Sequence, residues 1–241
     1  MFNLERPQIA GSAPVGARNR PESSRVQRWD AGSKSPLPVT PVRYAAAKRA
    51  MDLVISLAAI LILSPLLLLI ALLVKFTSKG PVIFRQQRSG LGGREFTCLK
   101  FRSMCVDAEQ KRAAIAHLNE ASGPVFKIKN DPRVTPVGRV IRKLSLDELP
   151  QLFNVLRGEM SIVGPRPPLP SEVAEYSERE QRRLSVKPGI TCIWQISGRS
   201  DVSFDRWVEL DLEYIDTMSF WNDVKIFFRT FPAVLLARGA H

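Results

Sequence analysis

Twenty-two consecutive residues without a charge, Leu53 to Val74, set the first limit on what this chain can become. As a helix rising about 1.5 Å per residue the run is roughly 33 Å long, which matches the hydrocarbon core of a bilayer. The competing reading, a buried helix of a soluble core, rarely stays apolar on every face for that length. The run is therefore placed in a membrane. Ser64-Pro65 sits at its middle. A proline there removes one helix hydrogen bond and crowds the preceding turn, so the helix is expected to bend, and the Ser64 hydroxyl can bond a carbonyl that the proline frees. Basic residues flank both ends, Lys48 and Arg49 before and Lys75 and Lys79 after, so the positive-inside rule gives no orientation. A helix that enters, breaks at Ser64-Pro65 and returns puts both flanks on one face. An ordinary single-pass helix with a tolerated proline fits these facts equally well.

The remainder divides by composition. Residues 1–43 hold seven basic and three acidic residues among many Pro, Ser and Gly, with few large apolar groups. Such a segment cannot bury enough surface to offset its ordering entropy and is read as a disordered basic tail. No apolar stretch follows its first charges, so it is not read as a cleaved signal peptide. Residues 44–79 hold the apolar run with its flanks, and residues 80–241 the remaining domain. Within that domain, 80–143 carries thirteen Lys+Arg against five Asp+Glu, and 144–241 eleven against fourteen. This asymmetry suggests a polyanion site on one wall with acids brought to it from the other, or a basic surface facing anionic headgroups. Two His and three Cys leave little room for a His-based zinc site, a Ser-His-Asp triad or a disulfide framework.

The fold class expected is mixed α/β and mainly helical. Val82–Phe84 and Phe96–Leu99 read as strands of a hairpin around a Gly90–Gly93 turn. Residues 105–120 read as helix, 150–157 as a short helix stopped by Gly158, and 171–184 as a charged helix. Residues 205–217 and 220–237 read as two more helices, the last with a broad aromatic and aliphatic face suited to a membrane interface. Pro165, Pro167, Pro168 and Pro170 demand an extended, rigid loop.

Several residues are candidates for chemistry. Asp147 and Glu148 lie in Ser145-Leu146-Asp147-Glu148-Leu149-Pro150. Ser145 with Glu148 three residues on is a capping box, which is a sufficient structural reason for both. The functional reading is a nucleophile beside a metal ligand, with adjacent carboxylates about 100° apart on a helix start. Arg133, Arg139, Arg142 and Lys143 just upstream are placed to neutralise phosphates. Lys100-Phe101-Arg102-Ser103-Met104 follows the second strand and offers two cations at a strand end. In Gly164-Pro165-Arg166-Pro167 the prolines pre-organise a guanidinium for a phosphate or a planar base. Each also has a structural reading, as a solvated basic patch and a rigid connector.

Together these motifs resemble the bacterial sugar transferase family, the monotopic phosphoglycosyl transferases that act on polyprenyl phosphate. The likeness runs from about residue 44 to 231. It includes Lys48-Arg49, Asp52, Ser64-Pro65, Phe84-Arg85-Gln86, Arg88, the Lys100–Met104 run and Asn130-Asp131-Pro132-Arg133. It continues through Arg142, the Ser145–Gln151 run, Gly164-Pro165-Arg166-Pro167, Lys187-Pro188-Gly189-Ile190-Thr191, Trp194-Gln195 and Ser197-Gly198-Arg199. Cys192 departs from the family, which usually has Gly there. The resemblance implies a re-entrant helix with the protein on the cytoplasmic face of the bacterial inner membrane. It implies transfer of a hexose-1-phosphate, glucose or galactose, from a UDP-sugar to undecaprenyl phosphate with release of UMP. The Asp147 position is then the nucleophile, Glu148 the Mg²⁺ ligand, and Pro165-Arg166-Pro167 the nucleotide site. Arg88, Lys100, Arg102, Arg133, Arg142, Gln195 and Arg199 complete the expected substrate ligands. The chain resembles a minimal catalytic form without the multi-helix N-terminal region of larger relatives, acting at the start of exopolysaccharide, capsule or O-antigen synthesis. Homo-oligomerisation is left open.

Two other classes compete. A membrane-tethered nucleic-acid or anionic-lipid module is permitted by the formal charge of +12, but it leaves Asp147-Glu148 and Arg166 unexplained, and no nucleic-acid motif is present. A catalytically inactive scaffold of a polysaccharide assembly complex is disfavoured by the intact acidic pair.

Overall fold

A computed structural model describes residues 42–120, 123–197 and 202–235. The expected tail lies almost wholly outside the described residues. Helix α1, Val42–Thr77, carries the apolar run and is long and apolar enough to cross a membrane, with only 11% of its most apolar window buried. Its helical pattern is continuous through Pro65, so Ser64-Pro65 does not divide it into the two separate helices expected. Local chemistry explains the continuity. Pro65 cannot donate to Leu61 O, and the Ser64 hydroxyl donates to that carbonyl instead, at 2.8 Å. Ile55, Ala59 and Ile60 before the proline, and Leu66, Leu67, Ile70 and Val74 after it, all pack on the rest of the protein. Leu61 and Ile62, next to Ser64, are 65% and 74% exposed.

The hairpin forms as expected. Strands β1, Ile83–Ser89, and β2, Glu95–Phe101, pair antiparallel from Ile83↔Phe101 to Ser89↔Glu95 around a 3-10 turn. The helix expected over 105–120 is only one turn, α2 Ala108–Lys111, followed by 3-10 turns. Asp107 pairs with Lys111 at 2.7 Å and makes no side-chain cap. Of these two elements only Ala108 is buried. Without a cap or an apolar face to bury, a longer helix has nothing to stabilise it. Helix α3, Pro136–Lys143, was not anticipated; Thr135 caps it through Gly138 N at 2.9 Å with Pro136 in its first turn. Helix α4, Gln151–Arg157, ends as expected at Gly158, which takes φ 81°.

The run 171–184 is not one helix. It divides into α5 Pro170–Val173, α6 Glu178–Gln181 and a 3-10 turn, Arg182–Ser185. Ser177 N donates to Glu180 Oε2 at 2.6 Å and starts the chain again as a capping box. Arg183, within this charged run, is buried and paired with Asp211 at 2.9 Å and Tyr176 OH at 2.6 Å. A second sheet was also missed. Strands β3, Ser161–Val163, and β4, Gly189–Thr191, pair parallel. Helices α7 Ile193–Ile196, α8 Phe204–Asp216 and α9 Phe220–Leu235 complete the order. The main core joins Val155, Met160, Val163, Val208 and Tyr214. Helix α9 buries Asp223 and Ile226 and exposes Trp221, Phe228 and Phe231.

Beyond β3 the backbones of Gly164 and Gly189 touch. A Cβ on Gly189 would lie 2.1 Å from Gly164 N. Over-packing against movable side chains costs about 1–3 kcal/mol, and here the obstacle is backbone, so Gly189→Ala is expected to cost about 3 kcal/mol or more. Thermal denaturation checks this.

Candidate active site

The basic and acidic stretches of the sequence meet at one contact. Lys100, at the end of β2, puts Nζ 2.6 Å from Glu148 Oε1. Asp147 and Glu148 stand in a 3-10 turn, Leu146–Glu148, just before α4. The expected capping box is absent there. Ser145 adopts the left-handed conformation, φ 53°, alone among the described non-glycine residues, and its side chain caps nothing. A cap needs extended backbone, and Glu148 is already committed to Lys100. This strained residue, two before Asp147, aims the turn into the cleft.

The two carboxylates are driven apart electrostatically. Burial raises the Asp147 carboxyl to about 6, Lys100 and Arg142 opposing and the adjacent Glu148 adding to the rise. Burial also pushes Glu148 upward, but Lys100, Arg166 and Arg88 outweigh it and hold Glu148 below its ordinary value. Glu148 is thus a fixed anion with a counterion. Asp147 has no ion-pair partner among the described residues.

Arg88, buried on β1, donates to Gln86 Oε1 at 2.6 and 3.0 Å and to Pro167 O at 3.0 Å. It thereby ties the hairpin to the proline run. Burial, then Arg166, lowers its guanidinium to about 10. Arg166 lies with its guanidinium 5.3 Å from the Trp207 ring and 4.0 Å from Glu172. Arg88, Lys100, Glu148, Arg166, Pro167 and Gln195 line one cavity of about 60 Å³, and neighbouring Pro165 is fully buried. That cavity opens on a cleft of about 1110 Å³ containing Asp147, Arg142, Trp194 and Trp207. A pocket with three cations around one carboxylate favours a polyanion such as a diphosphate.

Two expected phosphate ligands line the cleft with their donors committed elsewhere. Arg102 donates to Val74 O, to Ser78 O and Oγ, and to Pro81 O, so it holds the C-terminal end of α1. Arg133 grips both Asp131 oxygens at 2.9 and 2.6 Å and reaches Ala108 O at 3.0 Å. Both were expected to bind substrate; as placed, their hydrogen bonds serve the fold. Arg142 stands in the cleft beside Asp147. Arg199 falls outside the described residues. Cys192 has φ −157°, extended backbone open to any residue, and its thiol meets Gln195 Oε1 at 3.5 Å. The usual glycine is therefore not needed for the turn.

Trp207 and Glu172 were missed as site residues. Glu172 had a signal: Leu169-Pro170-Ser171-Glu172 puts Pro at the first helical position and Glu where it can cap, and Glu172 Oε2 accepts from Leu169 N at 2.9 Å. Nothing in the periodicity marked Trp207.

No group of three or more His, Cys, Asp or Glu among the described residues forms a cage for a metal. Mg²⁺ is usually held by one or two carboxylates plus substrate phosphates. Glu148, with one oxygen on Lys100 and the other without a partner among the described residues, and neighbouring Asp147 fit an ion that arrives with a diphosphate.

The family model described as bacterial sugar transferase matches residues 43–237. The chain is 46% identical over 199 residues to the exopolysaccharide production protein ExoY of Rhizobium meliloti (strain 1021), covering 81% of this chain and 88% of that protein. It is 52% identical over 162 residues to the galactosyl transferase CpsE of Streptococcus agalactiae serotype III (strain NEM316), covering 67% of this chain and 36% of that one. Over 206 residues it is 47% identical to the undecaprenyl-phosphate glucose phosphotransferase of Komagataeibacter xylinus, covering 80% and 36%. The chain thus spans most of ExoY and about a third of the other two.

Proposed function

The chain belongs to the bacterial sugar transferase family, and on that premise we propose that it transfers a hexose-1-phosphate, glucose or galactose, from a UDP-sugar to undecaprenyl phosphate, releasing UMP and initiating a surface or secreted polysaccharide. The observation that carries this reading is the pairing of Lys100 with Glu148 beside an unpaired Asp147, in a cleft rich in arginine.

Both substrates are anions, so direct attack of one on the other is repulsive. A carboxylate intermediate divides the transfer. An Asp147 oxygen attacks the sugar-bearing phosphorus, the bond from that phosphorus to the bridging oxygen breaks, and UMP leaves with that oxygen. An oxygen of polyprenyl phosphate then attacks the same phosphorus and the bond to Asp147 breaks. Arg166 holds the diphosphate, Arg88 lends its charge and fixes Pro167 beside it, Arg142 offsets charge beside the nucleophile, and Gln195 offers a polar edge to the nucleotide. Bound at Glu148, Mg²⁺ supplies charge neutralisation on the phosphate oxygens. Glu148→Gln is expected to raise the Mg²⁺ concentration needed and to lower kcat about a hundredfold, with Asp147 still able to react. A Mg²⁺ titration of UMP release checks it. Screening UDP-sugars for Mg²⁺-dependent UMP release identifies the donor; no release with any of them overturns the reading and favours a scaffold.

The protein works at the cytoplasmic face with α1 re-entrant. Both halves of α1 pack against the same domain, and Leu61 and Ile62 just before Ser64-Pro65 are exposed. That is expected of a helix dipping into one leaflet with both ends on one side. The exposed Trp221, Phe228 and Phe231 of α9, interspersed with Lys225 and Arg229, suit the headgroup boundary.

A further inference from the structure

Strand β3 has β4 on one side only. Its other edge is closed by side chains of α1, from the turns just before the apolar run. Asp52, 3% exposed, accepts on Oδ1 from both Ser161 Oγ and Ile162 N, each at 2.9 Å. One turn earlier Lys48 Nζ donates to Val163 O at 2.9 Å and to Asp223 at 2.8 Å. Three consecutive residues of β3 are therefore held by α1. An exposed sheet edge leaves its backbone groups unsatisfied, and here Asp52 and Lys48 of α1, with Tyr214 of α8 donating to Val163 O at 3.1 Å, replace the missing strand.

The chain passes directly from this strand into Gly164-Pro165-Arg166-Pro167. On the β4 side Gly164 N donates to Thr191 O at 2.9 Å and Gly189 N to Pro165 O at 2.8 Å. Two prolines around Arg166 transmit the position of the strand to the guanidinium with little slack. We infer that Asp52 is a positioning residue for the nucleotide-sugar site: from α1 it holds β3 where Arg166 reaches the cleft. The inference rests on Arg166 binding the nucleotide, as proposed above. It makes the donor site complete only when α1 is docked, so a domain detached from its apolar helix binds the soluble substrate poorly.

The test is a double-mutant cycle on the full chain in nanodiscs, with UDP and Mg²⁺ as the probe, at a temperature where every variant is folded. Arg166→Ala weakens UDP binding. A displacement of order 1 Å costs one to two powers of ten, so Asp52→Ala is expected to weaken binding at least about tenfold. In the Arg166→Ala background the Asp52→Ala loss falls to within about twofold, because the two act on one interaction. Asp52→Asn, which keeps an Oδ1 acceptor, restores most of the affinity. A merely structural Asp52 lowers Tm and leaves UDP affinity alone. If Asp52→Ala does not fold, Ser161→Ala removes one of the two donors and is expected to give a smaller loss with the same dependence on Arg166. Parent-like binding by the Asp52 or Ser161 variant, or losses that add to that of Arg166→Ala, overturns the inference. Parent-like binding by Arg166→Ala overturns the nucleotide assignment on which it rests.

Discussion

Asp147→Asn is expected to lower turnover at least about ten-thousandfold, because an amide cannot replace the carboxylate that forms the phosphosugar ester. The parent, given UDP-sugar and Mg²⁺ without acceptor, should release one UMP per active site and retain a phosphosugar adduct on Asp147. Mass spectrometry of the quenched protein checks the adduct and its position. UMP release that waits for polyprenyl phosphate means direct transfer, and the covalent scheme fails. The same variant is expected to keep the fold. The folded-state carboxyl titrates at about 6, above the unfolded value near 3.9. A raised acid disfavours the charged native state, so the penalty is absent well below pH 4, grows between about pH 4 and 6, and is complete above 6. In metal-free buffer the Asn variant is therefore expected to melt higher than the parent at pH 8 and nearly equally at pH 4. After discounting for the part of the site open to solvent the gain is on the order of 1 kcal/mol.

What was legible in the sequence is what depends on local rules. The apolar run, the hairpin and the stop at Gly158 follow from length, alternation and a left-handed cap, and each formed where expected. The acidic pair and the proline-locked Arg166 were also visible, and they line one continuous cleft. Partner choice was not legible. Ser145 and Glu148 have the spacing of a capping box, yet Lys100, 48 residues away, takes the carboxylate. Arg102 and Arg133 look like phosphate ligands by charge alone, and each was claimed by acceptors that only the fold supplies. Asp52 is the converse: an acid before an apolar helix reads as a flank until β3 is placed against it. Short strands of three residues, such as β3 and β4, carry no periodicity to detect.

Replacing Ser64-Pro65 with Ala-Leu is expected to turn the dip into a crossing. The parent apolar run has the length to span, and Pro65 with the Ser64 hydroxyl bonded to Leu61 O makes its middle the place to bend. Ala and Leu restore the missing N–H and favour a straight helix long enough for a core of about 30 Å. Insertion precedes folding of the residues that dock Lys48, Arg49 and Asp52, so those contacts cannot select the topology first. In the variant the segment before Lys48 moves to the far side, and the contacts from Lys48 to Asp223 and from Arg49 to the carbonyls of Val155 and Leu156 are lost. With them goes the seating of β3, so activity should fall with topology. The probe is a Cys placed in residues 1–43 of a variant lacking Cys98, Cys105 and Cys192, treated in intact cells with a membrane-impermeant thiol reagent. The parent topology should resist labelling and the Ala-Leu variant should be labelled. Labelling of the parent makes α1 an ordinary crossing helix, and re-entry is then wrong whatever the Ala-Leu variant does.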